Sequence, residues 1–344
     1  MTITRIGLDI AKRVFQVHGV DELGRAKMTK KLPRAQVLQF FAQLPICVIG
    51  VEACGGAHYW ARELGKLGHT VRLMAGQFVN PYRKSGKNDA NDAEAICEAV
   101  GRPNMRFVAT KNEEQQAVLM WHRARTLAVA NRTALVNQIR GLLGEFGCIV
   151  SKGIRPLRRE LPEILEDGEN GLPHLARTLV SELLEQLRAL DEQVEHYDCQ
   201  IAQIARESEA AQRLMAIEGI GPITATALVA GVGDARVFRN GRQFAAWLGL
   251  TPQQRSSGGK TSLGKITKRG DRYLPTLLVH GSRAVLRYVG RKSDAKSIWA
   301  VNVMQRRHVN VAAVALAAKQ ARIIWAMLAK GTEYRPSEAA AACM

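Results

Sequence analysis

Close cysteine pairs are absent from this sequence of 344 residues. Its six cysteines lie far apart, and none has the C-x-x-C spacing with which zinc ribbons hold a metal. We therefore predict reduced thiols without a disulfide or metal role, as is usual for cytoplasmic proteins. The six are Cys47, Cys54, Cys97, Cys148, Cys199 and Cys343.

Long hydrophobic runs are also missing. No segment reaches the roughly 18 uninterrupted apolar residues that are needed to cross a bilayer. The N-terminus lacks the pattern of a secretory signal peptide, because Met1 to Ile10 already has the character of a strand that contains an acid. The sequence therefore predicts a cytoplasmic protein with no membrane partner.

Acidic residues are too few to balance the basic ones. Lys and Arg number 49 against 31 Asp and Glu, so the net charge is +18. A surplus of this size favours a polyanionic partner, and nucleic acid is the leading candidate. Apolar residues make up 47% of the chain, and a chain of 344 residues is expected to contain two or three structural units.

Short strands and helices alternate in the first part of the chain. Strands are predicted at 5–10, 14–20, 26–32, 46–51 and 70–74, with helices at 33–44, 58–67 and 89–100. The order βββαβαβα is that of an RNase H fold. We therefore predict an α/β domain over residues 1–110.

Four acids occupy unusual places in this domain. Asp9 lies in the apolar first strand and Glu52 ends the fourth, where a buried carboxylate is costly unless it is paired or binds a metal. Asp89 and Asp92 lie at i and i+3 near a helix start and face one side. Together they suit Mg²⁺ or Mn²⁺. For Asp89 or Asp92 alone, a helix cap or a partner of the helix dipole is the simpler alternative.

Residues 111–206 are predicted to form a helical spacer. A long helix covers 112–146, and a second helix carries an apolar seam at alternating steps of 4 and 3 residues. The two helices predict an antiparallel hairpin or an intermolecular coiled coil, and 151–171 is predicted to be the loop between them. The seam consists of Leu183, Leu187, Leu190, Val194, Tyr197, Ile201 and Ile204.

Polar residues of the first long helix have two interpretations. Its basic flank is a candidate contact for nucleic acid, whereas His122 is interpreted as a structural histidine rather than a general base. The basic flank consists of Arg123, Arg125, Arg132 and Arg140.

Residues 207–332 are predicted to form a mostly helical domain, followed by a flexible tail at 333–344. Gly219 and Gly221 precede the helical run 223–232 and resemble a helix-hairpin-helix, in which glycines let the backbone approach a phosphate. A simple tight turn is the alternative.

A polar, glycine-rich loop near residues 253–260 exposes Ser256 and Ser257. A serine attacks phosphorus when it is deprotonated or assisted by a metal and when nearby cations neutralise the developing charge. A flexible loop without chemistry is the alternative. The loop leads into a basic strip that is predicted to follow a phosphate backbone, consisting of Arg255, Lys260, Lys265, Lys268, Arg269 and Arg272.

These motifs in this order resemble the DEDD transposases of bacterial insertion sequences, of the Piv/MooV type, along nearly the whole chain. The acidic matches are Gly7-Leu8-Asp9, Val51-Glu52-Ala53 and Asp89-Ala90-Asn91-Asp92. The C-terminal matches are Glu218-Gly219-Ile220-Gly221, the segment 244–252 and Ser257-Gly258. The resemblance implies a RuvC-like domain whose metal ligands are Asp9, Glu52, Asp89 and Asp92.

The resemblance also implies an activity and its partners. Ser257, with Ser256 as the alternative, would join covalently to a DNA end while double-stranded donor and target DNA are cut and rejoined. A structured guide RNA would direct the reaction. The acidic domain of one subunit would work with the serine domain of another, in a dimer and in a tetrameric synaptic complex. The location would be the bacterial cytoplasm, at the nucleoid.

Two other functions use the same residues differently. A junction-resolving nuclease would use the four acids with water as its nucleophile, and would leave no covalent link to protein. A non-catalytic DNA-binding protein would use the helix-hairpin-helix alone, and its acids would be structural.

Overall fold

In the computed structural model, residues 2–84, 86 and 88–335 are described. The chain forms two compact units: unit 1 comprises Met1–Glu113 with Val232–Val237, and unit 2 comprises Glu114–Gly231 with Phe238–Met344. Most of the predicted tail, including Cys343, lies outside the described residues.

A mixed six-stranded sheet forms the centre of unit 1, in the order β3-β2-β1-β4-β5-β6. Strands β1, β4 and β5 are parallel, and the other three run antiparallel to their neighbours. This arrangement is consistent with the predicted RNase H order. The strands are β1 (Arg5–Asp9), β2 (Val14–Val20), β3 (Ala26–Pro33), β4 (Val48–Glu52), β5 (Thr70–Met74) and β6 (Phe107–Val108).

The two faces of this sheet differ in character. One face packs Leu8, Phe15 and Val17 against Phe41 and Trp60, which belong to α1 (Val37–Ala42) and α2 (Ala57–Lys66). The other face is covered by α4 (Asp89–Val100), which follows the short helix α3 (Gly76–Val79). Because side chains alternate along a strand, the residues between the core positions face α4.

Two glycines let α4 lie directly on the sheet. Gly7 of β1 pairs with Gly50 of β4. A Cβ atom on Gly7 would lie 2.0 Å from the Ala93 carbonyl oxygen and 2.4 Å from the Cys97 nitrogen, and one on Gly50 would lie 2.7 Å from Val100 Cβ. No side chain fits at either position, so α4 packs against the backbone of both strands.

Three helices form the first part of unit 2: α5 (Glu113–Gly144), α6 (Ile154–Glu166) and α7 (His174–Glu207). The predicted long helix at 112–146 is confirmed. The loop predicted at 151–171 is wrong, because this segment contains α6. Leu157 and Leu161 lie one turn apart and bury against α5 and α7, and Pro156 lies in the first turn, where no helical hydrogen bond is lost.

Helices α5 and α7 pack antiparallel within one chain. Trp121 contacts Tyr197, and further along α5 Arg132 Nη1 donates to Asp191 Oδ1 at 3.2 Å. The seam residue Leu187 is buried in the same cluster as Ile139. Of the two arrangements that the sequence left open, the structure therefore has the antiparallel hairpin.

The basic flank of α5 serves this packing. Arg125 binds Asp198, Arg132 binds Asp191, and Arg140 donates to the Val150 carbonyl oxygen. These internal partners account for the three arginines within unit 2, and the nucleic-acid contact of the basic flank stays a prediction.

The remainder of unit 2 is mostly helical, as the sequence predicted for residues 207–332. Helix α13 is long and apolar enough to cross a membrane by length and composition. Its Ala313, Leu316 and Ile324 side chains are fully buried, so it is a core helix of unit 2. The elements are α8 (Glu209–Met215), α9 (Pro222–Val232), α10 (Gly241–Trp247), β7 (Pro252–Ser257), β8 (Lys260–Ile266), α11 (Tyr273–Leu286), α12 (Ala295–Arg306) and α13 (Val309–Lys330).

Candidate functional site

Two of the predicted acids end neighbouring parallel strands. Asp9 is the last residue of β1 and Glu52 is the last of β4, directly after the paired residues Leu8 and Val51. Asp9 is two residues beyond Gly7, and Glu52 is two beyond Gly50. Because alternate residues share a face, both acids lie on the face of the sheet that α4 covers.

The other two acids lie in the first turn of α4. The cap of this helix is Asn88, whose Oδ1 accepts a hydrogen bond from the Asn91 backbone nitrogen at 2.8 Å. The simpler alternative of a capping aspartate is therefore wrong. Asp92 is mostly buried and accepts a hydrogen bond from Arg83 Nε at 2.5 Å, whereas Asp89 is exposed.

The four carboxylates act on one another. Burial, followed by the negative charges of Asp92, Asp89 and Glu52, raises the pKa of Asp9 to about 6. Like charges raise the pKa of a carboxyl group in this way when they are close to it. The predicted acids are therefore gathered around the end of β1.

The donor set fits a hard divalent cation in its chemistry and charge. All four side chains offer carboxylate oxygens, which Mg²⁺ and Mn²⁺ prefer. Among the described residues, no group of three or more His, Cys, Asp or Glu side chains is placed so that it could hold a metal ion. Arg83 instead neutralises Asp92.

Sequence reasoning missed the residues that support this cluster. Gly76 of α3 lies against Glu52, and a Cβ atom there would be 2.5 Å from Glu52 Oε1. Gly7 and Gly50 allow the approach of α4, and Arg83 neutralises Asp92. The repeated spacing of a glycine two residues before each strand acid was the available signal.

The segment with the two serines, which was predicted to be a glycine-rich loop, forms a β-hairpin. Ser257 ends β7 and Lys260 begins β8, and the two residues pair across the turn. Gly258 and Gly259 form the turn with φ angles of 54° and 77°. A two-residue hairpin turn with both φ angles positive strongly favours glycine, which explains this sequence.

The two serines face opposite sides of the hairpin. Residues that are directly opposite share a face, so Ser257 lies with Lys260 and Arg255, whereas Ser256 lies with Gln254 and Thr261. Gln254 Nε2 donates to Ser256 Oγ at 2.9 Å. In the described part of the chain, the Ser257 hydroxyl has no such partner.

All six cations of the predicted basic strip are exposed. None of them forms an ion pair with a described acid. Gly249 packs against the backbone of the second half of the strip. A Cβ atom on Gly249 would lie 2.7 Å from the Arg269 nitrogen, and the Lys268 nitrogen donates to the Gly249 oxygen at 3.2 Å. The glycine of the 244–252 motif therefore has a packing role.

Helices α8 and α9 and the turn between them have the predicted helix-hairpin-helix order. Gly219, with a φ of 85°, packs on α11, and a Cβ atom on it would lie 2.7 Å from the Gly281 carbonyl oxygen. Gly221 is exposed with open space beside it. The predicted phosphate contact therefore stays a prediction at Gly221, while internal packing accounts for Gly219.

His122 is structural, as its sequence context indicated. Its ring is 1% exposed, with Nε2 3.0 Å from Thr226 Oγ1 and Nδ1 2.9 Å from the Tyr273 hydroxyl. Thr226 donates its single proton to the Pro222 oxygen, so Nε2 carries the imidazole proton and Tyr273 donates to Nδ1. Burial lowers the pKa of His122 to about 4. The neutral ring thus links α5, α9 and α11.

Comparison with known proteins gives consistent matches along the chain. Residues 6–147 match a family of DEDD transposases of the IS110 type, and residues 211–297 match the transposase IS116/IS110/IS902 family. A probable family 20 transposase of Pseudomonas aeruginosa is 55% identical over 98% of this chain and 100% of its own length. The transposase for insertion sequence element IS1111A of Coxiella burnetii is 44% identical, covering 96% and 91%. That for IS1328 of Yersinia enterocolitica is 40% identical, covering 96% and 98%.

Proposed function

Because the chain belongs to the IS116/IS110/IS902 family of insertion-sequence transposases, we propose that it cuts and rejoins donor and target DNA through a phosphoserine link on Ser257. The observation that carries the cleavage chemistry is the pKa of Asp9, which burial and then the charges of Asp92, Asp89 and Glu52 raise to about 6. Mutual repulsion among carboxylates disfavours the folded protein, so a purely structural role does not account for it.

The four acids would hold Mg²⁺, with Mn²⁺ as a substitute, in a RuvC-like domain. When bound, such a cation positions the scissile phosphate and favours deprotonation of the attacking hydroxyl. Asp9 and Glu52 provide rigid ligands because they end strands of the sheet. Asp89 and Asp92 complete the set from α4, and Arg83 neutralises Asp92 when no cation is present.

Ser257 supplies the nucleophile. Its Oγ forms a bond to phosphorus as the bond from phosphorus to the departing DNA oxygen breaks, and the proton that Oγ loses ends on that departing oxygen. Arg255 and Lys260 lie on the same face of the hairpin and neutralise the phosphoryl oxygens. Ser256 lies with the uncharged side chains of Gln254 and Thr261, which supports Ser257. The phosphoserine bond retains the energy that is needed to rejoin a strand.

The partners are double-stranded donor and target DNA, a structured guide RNA and further copies of this chain. The net charge of +18 and the unpaired basic strip support polyanionic partners. The acids of one subunit act with Ser257 of another, in a dimer and in a tetramer that holds both DNAs at the nucleoid. The α7 seam is occupied by α5 and α6, so another surface assembles this oligomer.

A covalent adduct between protein and DNA tests this proposal. The full chain, its guide RNA, Mg²⁺ and labelled donor and target DNA are incubated and separated on a denaturing gel. We expect an adduct with the unmodified protein and with the matched control Ser256→Ala. The adduct should be lost in both Ser257→Ala and Asp9→Ala.

Other results would identify the alternatives. Cleaved free ends that survive Ser257→Ala would indicate a nuclease that uses water and would contradict the serine link. Loss of the adduct in Ser256→Ala alone would move the nucleophile by one residue. Binding without any cleavage would leave only a DNA-binding protein.

A further inference from the structure

Gln16 is a buried polar residue with an unsatisfied oxygen atom. Its side chain is 4% exposed, and its Oε1 atom is buried without a hydrogen-bond partner among the described residues. A buried acceptor that lacks a donor is unfavourable, and such groups are rare in folded proteins.

The position of Gln16 places this oxygen beside the acids. Gln16 of β2 is the direct cross-strand partner of Asp9 of β1. Residues that are directly opposite in antiparallel strands share a face, with their Cβ atoms about 4.5–5.5 Å apart. The carboxamide therefore lies on the face that carries Asp9 and is covered by α4, and Phe15 and Val17 face the opposite core.

No described residue donates to this oxygen, including Lys31, the exposed cross-strand partner of Gln16 on β3. An ionised Asp9 offers only acceptor atoms, which cannot donate to Oε1. A cation, or a water molecule bound to a cation, satisfies an amide oxygen and carboxylate oxygens together. A neutral oxygen also completes the shell of a cation without adding a further negative charge to a cluster that already repels itself.

We propose that Gln16 Oε1 is an additional ligand of the cation held by Asp9, Glu52, Asp89 and Asp92, directly or through a bound water molecule. This inference deepens the proposed function and rests on it. The unsatisfied oxygen of Gln16 destabilises the metal-free protein, and the same oxygen strengthens cation binding.

Binding of Mn²⁺ alone to the full chain, measured by isothermal titration calorimetry, tests this role without DNA or turnover. Gln16→Met keeps the length of the side chain and removes the oxygen. We expect its Mn²⁺ affinity to fall about tenfold or more, while its metal-free melting temperature stays the same or rises. Gln16→Glu keeps an oxygen in place and should bind at least as tightly as the unmodified protein. Gln43→Met, the same change at an exposed position of unit 1, should change nothing.

The outcomes separate this inference from the proposed function. Unchanged affinity in Gln16→Met, or equal loss in Gln16→Glu, overturns the role of Gln16 and leaves the acidic site intact. A lower metal-free melting temperature in Gln16→Met would assign the residue to structure only. The proposed metal site itself is wrong if the unmodified protein binds no Mn²⁺. It is also wrong if Asp9→Asn binds Mn²⁺ with the same affinity as the unmodified protein.

Discussion

Replacing Gly7 with alanine tests whether the contact of α4 with the sheet positions the acids. The added Cβ atom would lie 2.0 Å from the Ala93 oxygen and 2.4 Å from the Cys97 nitrogen. Non-bonded carbon contacts are favourable near about 3.5 Å, so the helix must retreat by roughly 1.5 Å or the strand must distort. Both atoms belong to the backbone, so no side-chain rotation relieves the clash.

The size of the effect follows from this geometry. Overpacking costs about 1–3 kcal/mol, and the backbone clash places Gly7→Ala at the upper end, about 3 kcal/mol. Gly50→Ala meets the side chain of Val100 at 2.7 Å, so a smaller loss of about 1–2 kcal/mol is expected. Gly65→Ala, which adds a methyl group to α2 in open space, should stabilise unit 1 by about 0.5–1 kcal/mol.

Urea unfolding gives the free energies, and hydrogen exchange of peptides from β1 and α4 locates the change. We expect the stability order Gly65→Ala, unmodified protein, Gly50→Ala, Gly7→Ala, with faster exchange in α4 and weaker Mn²⁺ binding for Gly7→Ala. If Gly7→Ala leaves the free energy of unfolding, the hydrogen exchange of α4 and the Mn²⁺ affinity unchanged, the contact of α4 with the sheet does not position the acids.

Three further predictions concern other parts of the chain. The pKa of His122 is about 4 when folded and about 6.5 when unfolded, so the unfolded state binds a proton first on acidification. The free energy of unfolding should then fall between about pH 6.5 and 4 by up to about 3 kcal/mol; equal acid sensitivity of His122→Gln in urea unfolding would contradict this. Arg83→Gln removes the guanidinium group that pairs with Asp92 and should raise the Mn²⁺ affinity several-fold in calorimetry. A lower affinity would mean that Arg83 does not compete with the metal. At the turn residue Gly258, with a φ of 54°, Asn should preserve adduct formation and Val should abolish it on the denaturing gel; equal yields would show that the turn is unimportant.

Local sequence patterns predicted most of the elements but not their contacts. The strands of unit 1 follow from apolar alternation and turn residues, and β5 has the predicted bounds 70–74. The serine hairpin was missed because every residue of β7 is exposed, so its strand lacks an apolar pattern. Helix α6 was missed because its prolines and charges resemble those of a loop, while its leucines are buried only by α5 and α7.

The acids of the candidate site were predictable, and the residues around them were not. An acid in an apolar strand is visible in the sequence because it breaks a local pattern. The role of Gln16 depends on its register with Asp9, which requires the pairing of two strands. Gly219 was predicted to contact a phosphate, whereas it packs on Gly281. That packing was not predictable, because Gly281 lies 62 positions further along the chain.

The glycine pair under α4 has a consequence for the many copies of an insertion sequence that genomes accumulate. Every amino-acid change from glycine adds at least a Cβ atom, so any missense mutation at Gly7 introduces the clash described above. We expect a copy with such a mutation to be inactive even when all four acidic codons are unchanged. Genome counts of intact elements that examine only the acids will therefore overestimate how many copies can still move.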